Sequence, residues 1–577
     1  MARTAAIGEQ DFSKIIEKDY FYIDKTVFIK EWWENGDTVT LITRPRRFGK
    51  TLAMSMLEKF FSVSYAGKGR LFENLHIWKE KGYQELQGTY PVIFLSFADI
   101  KAGSYGEAYE GICRVIGREY RRYSSMMESD CFLQSDRKQF HKILNGEANI
   151  VDIRSSINQL SEYLYMYYGK RVILLLDEYD TPMREAYVNG YWTELAEFMR
   201  KLMNSTFKTN VFLERGIMTG ITRVSKESVF SDLNNLVVVT TATKLYETAF
   251  GFTENEVFQA LKEFGLQDKK EEVKHWYDGF RFGNCESIYN PWSVIHFLKF
   301  REFHAYWANT SSNRMIGELI QKAGPEIKIA VEDMLQCRTI SVQVDEQIIF
   351  NQLEQDENAI WSLLLASGYL KIAGLGAADS RFGAEGMIYE LAPANFEMVL
   401  ILKKMVSTWF ERCSSSYHDF IKSLLANDLR SMNAYMNQVV RTAASSFDSG
   451  NHPSDKTEPE RFYHGLVLGI MLSLGDRYRM TSNRESGFGR YDILLEPGNR
   501  SDDGIIFEFK VLDAANGEKS LEDTAKAAIW QIVCKQYAAV LEEACGSNRI
   551  RIYGVAFRGK EVLIKGGYLR EFELSGL

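Results

Sequence analysis

Short, uninterrupted apolar runs at 38–43, 92–97, 172–176, 211–219 and 237–240 punctuate the first 250 residues. Runs that are this brief and apolar at every position read as strands buried on both faces. Between them, 51–61, 105–123, 153–168 and 192–205 carry apolar residues at helical spacing. Strand–helix alternation of this kind predicts a parallel sheet covered by helices. From about residue 252 the texture turns helical and aromatic, through Trp276, Trp292, Tyr306 and Trp307, and it stays helical to roughly Ser446. The stretch 448–459 is rich in turn formers and poor in apolar residues, which predicts a linker. Beyond it, a helix at 460–474, strands at 491–495 and 504–511, a helix at 521–544 and strands at 549–557 and 561–565 predict a second, smaller α/β unit. With 577 residues the chain exceeds what one hydrophobic core supports. The expected division is therefore 1–250, 251–447 and 455–577.

Composition narrows the class. An apolar fraction of 45% with 25% charged residues is that of a globular chain. Its net charge of −8 excludes a general affinity for polyanions, so contact with nucleic acid has to rest on a local patch such as Arg44, Arg46 and Arg47. The seven cysteines are dispersed, with no Cys-x-x-Cys pair, which argues for a reducing compartment and against a disulfide framework or zinc site. The N-terminus lacks an apolar leader and no apolar run is long enough to span a bilayer. The expectation is a cytoplasmic protein without membrane contact.

Two places carry chemistry. Residues 41–51 read Leu-Ile-Thr-Arg-Pro-Arg-Arg-Phe-Gly-Lys-Thr, closing on the Gly-Lys-Thr of a phosphate-binding loop where a predicted strand passes into a predicted helix. Arg44 stands where that pattern has its first glycine. Gly49 lets backbone N–H groups approach phosphate at a helix N-terminus, Lys50 reaches the β- and γ-phosphates, and the Thr51 hydroxyl holds Mg²⁺. A partner carboxylate is required, and the apolar run at 172–176 ends in Asp177-Glu178. There Asp177 orders Mg²⁺ with Thr51, and Glu178 orients or deprotonates the attacking water. A third strand end, Thr219-Gly220-Ile221-Thr222-Arg223, suits a γ-phosphate sensor. Thr222 or Arg223 is the candidate contact; Arg223 equally suits a neighbouring copy's nucleotide in a homo-oligomer. The candidate nucleotide-binding set is Arg46, Gly49, Lys50, Thr51, Asp177 and Arg223, with ATP and Mg²⁺ as cofactors.

The second place is C-terminal. Asp492 begins an apolar strand, and Glu508 and Lys510 alternate on a later one, hence on the same face. Asp, Glu and Lys in this order form the core of the PD-(D/E)XK nuclease site. Asp492 and Glu508 bind one or two Mg²⁺ there, and Lys510 positions water or neutralises developing charge. Glu460 on the preceding helix is a candidate third acidic ligand. Gln531 and Tyr537 resemble the accessory polar positions of such enzymes, and Arg484 and Arg490 are candidate phosphate contacts.

These stretches resemble those of a bacterial and archaeal family, AAA-ATPase-like proteins fused to a PD-(D/E)XK nuclease-like domain. The resemblance rests on Tyr22-Ile23-Asp24-Lys25-Thr26, Arg44 to Thr51, Leu176 to Asp180 and Ser228 to Asn235. It continues through Trp276-Tyr277-Asp278-Gly279-Phe280, Tyr289 to Ser293 and Tyr306 to Thr310. In that family the Arg-Pro-Arg-Arg form of the loop is the normal one. The resemblance implies a P-loop NTPase-like parallel sheet, a helical middle region and a C-terminal nuclease-like α/β domain. The expected activity is that of an ATPase coupled to a metal-dependent nuclease acting on DNA, with a role in defence against foreign DNA. The alternative is a nucleotide-gated switch or DNA-binding interaction protein without turnover at one or both sites.

Overall fold

The computed structural model describes residues 3–221, 230, 233–309, 313–344, 359–375, 388–409, 411, 414–447, 465–466, 469–470, 472–486, 489–499, 501–512 and 518–574. The chain divides into two compact units, one made of Met1–Ala308 with Ser341–Met398, the other of Asn309–Ile340 with Val399–Leu577. Among the described residues no helix is long and apolar enough to cross a membrane.

The first unit is built on a parallel sheet of β1 (Val39–Thr43), β2 (Val92–Ser96), β3 (Val172–Asp177), β4 (Leu213–Gly220) and β5 (Leu236–Val239), in the order β2-β3-β4-β1-β5. Every residue of β1 and β3 is buried, as continuous apolar runs require. The helices Tyr105–Arg122, Ile150–Tyr168 and Trp192–Met203 lie in the connections, close to their expected bounds. Since β4 lies between β1 and β3, the ends of three strands converge where the phosphate loop leaves the sheet.

Further along the chain the aromatic segment adds two small antiparallel sheets to its helices. One joins β6 (Phe252–Thr253), β7 (Phe280–Phe282) and β8 (Cys285–Tyr289) in the order β6-β8-β7. The other joins β9 (Ile340–Gln343), β10 (Leu370–Leu375) and β11 (Ile388–Pro393) in the order β10-β11-β9. Trp276 packs on Phe303 and Phe396 with ring centroids 5.7 and 4.9 Å away, so it is a packing residue. In the Tyr22–Thr26 motif, Lys25 pairs with Glu256 at 2.7 Å and Asp24 accepts from the Thr26 hydroxyl at 2.7 Å, fastening the N-terminal segment.

The second unit carries a mixed sheet, β12 (Tyr478–Ser486), β13 (Gly489–Pro497), β14 (Gly504–Val511), β15 (Ile550–Arg558) and β16 (Glu561–Tyr568), in sequential order. Only β14 and β15 are parallel, and the helix Leu521–Cys534 makes the crossover that a parallel pair needs. It lies so close to β15 that a Cβ at Gly554 would meet the Ala525 carbonyl oxygen at 2.3 Å. The single helix expected over 521–544 is broken. Gln536 takes a left-handed φ of 53°, and a second helix starts at Ala539. At the outer edge, Asn433 and Asn437 of the helix Leu429–Phe447 exchange hydrogen bonds of 2.7–3.0 Å with the backbone of Ile564 and Val562 in β16. The linker expected at 448–459 lies outside the described residues.

Candidate nucleotide and metal sites

The phosphate loop follows β1. Gly49 caps the helix Lys50–Phe61 with φ 85°, a left-handed conformation that glycine adopts without strain, and no side chain caps the first turn. The first-turn N–H groups therefore present an unpaired, electropositive helix end. Lys50 is 5% exposed, and its Nζ donates to the carbonyl oxygens of Arg44 and Pro45, both at 2.8 Å. Burial lowers its pKa, while the carboxylates of Glu178, Asp180 and Asp177 act in the opposite direction. A buried ammonium held, among the described residues, by loop carbonyls suits a polyphosphate, whose oxygens are stronger acceptors.

Asp177 is fully buried and receives two hydroxyls, Thr51 Oγ1 on Oδ2 at 2.8 Å and Thr219 Oγ1 on Oδ1 at 2.5 Å. Burial raises its pKa and these two hydrogen bonds lower it. The Thr219 hydroxyl also accepts from the Glu178 N–H at 3.2 Å. Glu178 itself has φ 50°, and its Oε2 accepts from the Thr181 hydroxyl at 3.0 Å. Thr51, Asp177 and Glu178 thus gather at one sheet edge, a donor set that suits a hydrated Mg²⁺ beside a phosphate. Thr219 is the residue the sequence expectation passed over in favour of Thr222 and Arg223, both of which lie outside the described residues. Its signal was its place as the last buried hydroxyl of an apolar strand.

The three arginines of the loop have three different roles. Arg44 is fully buried, donates to the carbonyls of Thr240 and Leu245, and stacks 4.3 Å over Phe282. It ties the loop to the segment after β5 and is lost to any basic surface patch. Arg46 is half-buried within the fields of Asp180 and Glu178; burial lowers its pKa and those charges raise it. Arg47 is exposed and lies 4.0 Å over the Trp292 ring. The loop is also held from behind, since the Arg46 carbonyl accepts from Asn290 Nδ2 and Trp307 Nε1, each at 3.4 Å. Phe48 packs on Phe280 and Phe282 with centroids 4.8 and 5.3 Å away. Motif residues in 280–307 are therefore braces of the loop.

One brace titrates. Glu397 is fully buried and accepts from the Trp307 N–H at 2.8 Å and from the Ser293 hydroxyl at 2.8 and 3.1 Å. Burial pushes its pKa up to about 7, against the pull of these donors. The fold favours the neutral acid, so its contribution is present below the ordinary carboxylate range and is lost as pH rises through about 7. The loss amounts to at most about 3 kcal/mol. Urea unfolding of wild type is expected to show falling stability between pH 5 and pH 8, and Glu397→Gln to flatten that fall. An identical pH slope in both proteins would assign it to other groups.

In the second unit the antiparallel register of β13 and β14 brings Asp492 beside Glu508, where Asp492 Oδ2 accepts from the Phe509 N–H at 2.6 Å. Glu508 is 4% exposed. Its Oε1 accepts from Gln531 Nε2, which also donates to the Tyr537 hydroxyl at 3.1 Å. The helix break at Gln536 turns Tyr537 inward to make this contact. Glu508 Oε2, in contrast, is buried without a hydrogen-bond partner among the described residues. Burial and then the Asp492 charge drive the Glu508 pKa far above the usual carboxylate range, and the Lys510 ammonium acts to lower it. A buried carboxylate with one orphaned oxygen, a half-buried carboxylate beside it and an adjacent ammonium suit a divalent cation. Among the described residues no third His, Cys, Asp or Glu joins them; Glu460 lies outside those residues, as do the side chains of Arg484 and Arg490.

Comparison with known proteins agrees with both halves. Residues 6–230 match the family described as predicted AAA-ATPase, and residues 458–566 match the PD-(D/E)XK nuclease superfamily. The chain is also 24% identical over 529 residues to an uncharacterized protein from the vnfD 5′ region of Azotobacter chroococcum mcd 1, an alignment covering 89% of this chain and 91% of that protein. These matches place an AAA-ATPase-like domain in residues 6–230 and a PD-(D/E)XK nuclease superfamily domain in residues 458–566.

Proposed function

We propose that this protein is an ATP-binding P-loop ATPase coupled to a metal-dependent nuclease that acts on DNA, with nucleotide handled by residues 1–250, a middle region over 251–447 and phosphodiester cleavage by residues 455–577. The observation that carries the reading is the Glu508 carboxylate, buried against Asp492 with Oε2 unsatisfied and Lys510 alongside. Such an arrangement is costly for a scaffold and useful to a phosphodiesterase. A divalent cation held by Asp492 and Glu508 supplies positive charge for the phosphoryl oxygens and lowers the pKa of bound water. Gln531 and Tyr537 fix the orientation of the Glu508 carboxylate, and Lys510 places its ammonium where charge develops.

At the first site, Mg-ATP brings its own counter-charge, and the chain supplies the cradle. Lys50 exchanges the carbonyls of Arg44 and Pro45 for phosphate oxygens, and the N-terminus of its helix stabilises their charge. Thr51 and Asp177 would hold the metal that accompanies the nucleotide, with Thr219 fixing the second oxygen of Asp177. Glu178 orients the attacking water. Its Oε2 is engaged by Thr181, which favours slow turnover and a nucleotide that acts as a switch.

The test is cleavage by full-length protein of single- and double-stranded DNA and RNA, with Mg²⁺ or Mn²⁺, with and without ATP. Metal-dependent scission of DNA whose rate changes with ATP is expected. Absence of cleavage on every substrate under every metal and nucleotide combination would overturn the nuclease half.

A further inference from the structure

A cavity of about 250 Å³ opens beside the phosphate loop in the first unit. One wall is Pro45 of the loop with Thr241 and Ala242 from the segment after β5; the floor is Phe280 and Phe282 of β7. The opposite wall comes from the helix Ala359–Ser367 and from β10 and β11, through Leu365, Leu370, Ile372 and Tyr389. Arg281 and Lys371 border it, and among the described residues no carboxylate lines it. Ala242 and Arg281 are exposed, and Ile372 is half-buried, so its mouth is open to solvent.

Three observations say what fits. The carbonyl of Pro45 holds the ammonium of Lys50 at 2.8 Å, so the cavity wall and the phosphate-binding lysine meet at one residue. The volume lies below the roughly 300–1,000 Å³ of pockets that enclose whole drug-sized ligands, which suits one ring system of a larger ligand anchored elsewhere. The lining combines three aromatic side chains with aliphatic ones and two cations, which accept the face of a flat, electron-rich heterocycle by stacking and cation–π contact. The walls are also tightly seated. Gly368 has φ 87°, and a Cβ there would lie 2.7 Å from Pro45 Cβ, so the turn into β10 rests directly on the loop. Trp307, which braces the loop, packs 4.9 Å from Tyr369 in the same turn.

We infer that this cavity is the subsite for the heterocyclic base of the nucleotide whose phosphates the loop holds. The inference rests on the nucleotide reading above and adds to it a recognition element contributed by Leu365, Gly368, Leu370, Ile372 and Tyr389, far along the chain from the loop. A base seated between Pro45 and Tyr389 bridges the loop to β10 and β11, so base occupancy tightens that element against the loop while phosphates alone leave it untouched.

Calorimetric titration of full-length protein with ATP and with tripolyphosphate, both with Mg²⁺, tests the assignment. Wild type is expected to bind ATP at least tenfold more tightly than tripolyphosphate. Ile372→Trp fills the cavity from β10, and Ala242→Leu narrows its mouth from an exposed position that folding tolerates. Each is expected to weaken ATP at least tenfold while changing tripolyphosphate less than twofold, and the retained tripolyphosphate binding certifies the fold. Equal affinity of wild type for the two ligands, or full ATP affinity in Ala242→Leu, overturns the base subsite and leaves the phosphate loop standing. Binding of neither ligand by wild type removes the nucleotide reading and this inference together.

Discussion

Full-length protein carrying Glu508→Gln is expected to lose metal-dependent cleavage by more than about 10²-fold and, with it, the thermal stabilisation that Mg²⁺ or Mn²⁺ confers on wild type. The amide keeps the volume of Glu508 and an acceptor for Gln531, so packing is preserved. What disappears is the negative charge that Oε2 offers beside Asp492. In wild type that charge is strongly disfavoured by burial and by Asp492, and a bound cation relieves both. At 100 times its dissociation constant such a cation contributes about 2.7 kcal/mol, a shift on the order of 5–10 °C for a unit of this size. Without metal the variant should be at least as stable as wild type, because the amide is neutral beside Asp492 without having to take up a proton. Differential scanning calorimetry with and without metal, beside the cleavage assay, decides the matter. An equal metal-induced shift in both proteins would mean that the cation binds elsewhere.

Lys50→Met should abolish nucleotide-dependent stabilisation of the first unit. Methionine retains the aliphatic stem in its buried site but leaves the carbonyls of Arg44 and Pro45 without their shared donor. Loss of the two charge-assisted hydrogen bonds costs about 1.5–3 kcal/mol each before relaxation, so the ligand-free variant should also unfold earlier. The comparison that matters is the increment on adding saturating Mg-ATP. In wild type it should approach about 2.7 kcal/mol, and in the variant it should vanish. A full increment in Lys50→Met would place the nucleotide away from this loop.

Much of this architecture is legible in the chain because burial on both faces leaves a strong pattern. All five parallel strands fall within about two residues of their apolar runs, and the alternation of Glu508 and Lys510 by itself places them on one face. What escaped detection lacked local signals. β12 is polar for much of its length, and β6 to β8 are too short for periodicity to act. The break at Gln536 has neither glycine nor proline to announce it, yet it is what turns Tyr537 toward Gln531.

The roles of Arg44 and Glu397 were out of reach for a different reason. Arg44 reads as an exposed base in place of a glycine until its carbonyl acceptors appear 196 and 201 residues away. Glu397 joins Ser293 across 104 positions in a stretch with no recognisable motif. Interactions at such separations follow from the packed fold, and a single sequence does not encode them in any readable spacing. The same is true of the cavity beside Pro45, whose walls come from five separate stretches of the chain.

The asparagine pair on the helix Leu429–Phe447 has a consequence for how the second unit behaves in company. β14 and β15 are apolar along nearly their whole length, the kind of segment that stacks with its own kind when exposed. A sheet containing them grows by adding strands at a free edge. Asn433 and Asn437 occupy the peptide groups of Val562 and Ile564 with side-chain amides, which imitate a neighbouring strand but cannot be extended. Polymerisation through β16 is thereby closed off, and aspartate in place of both asparagines should reveal it as concentration-dependent aggregation.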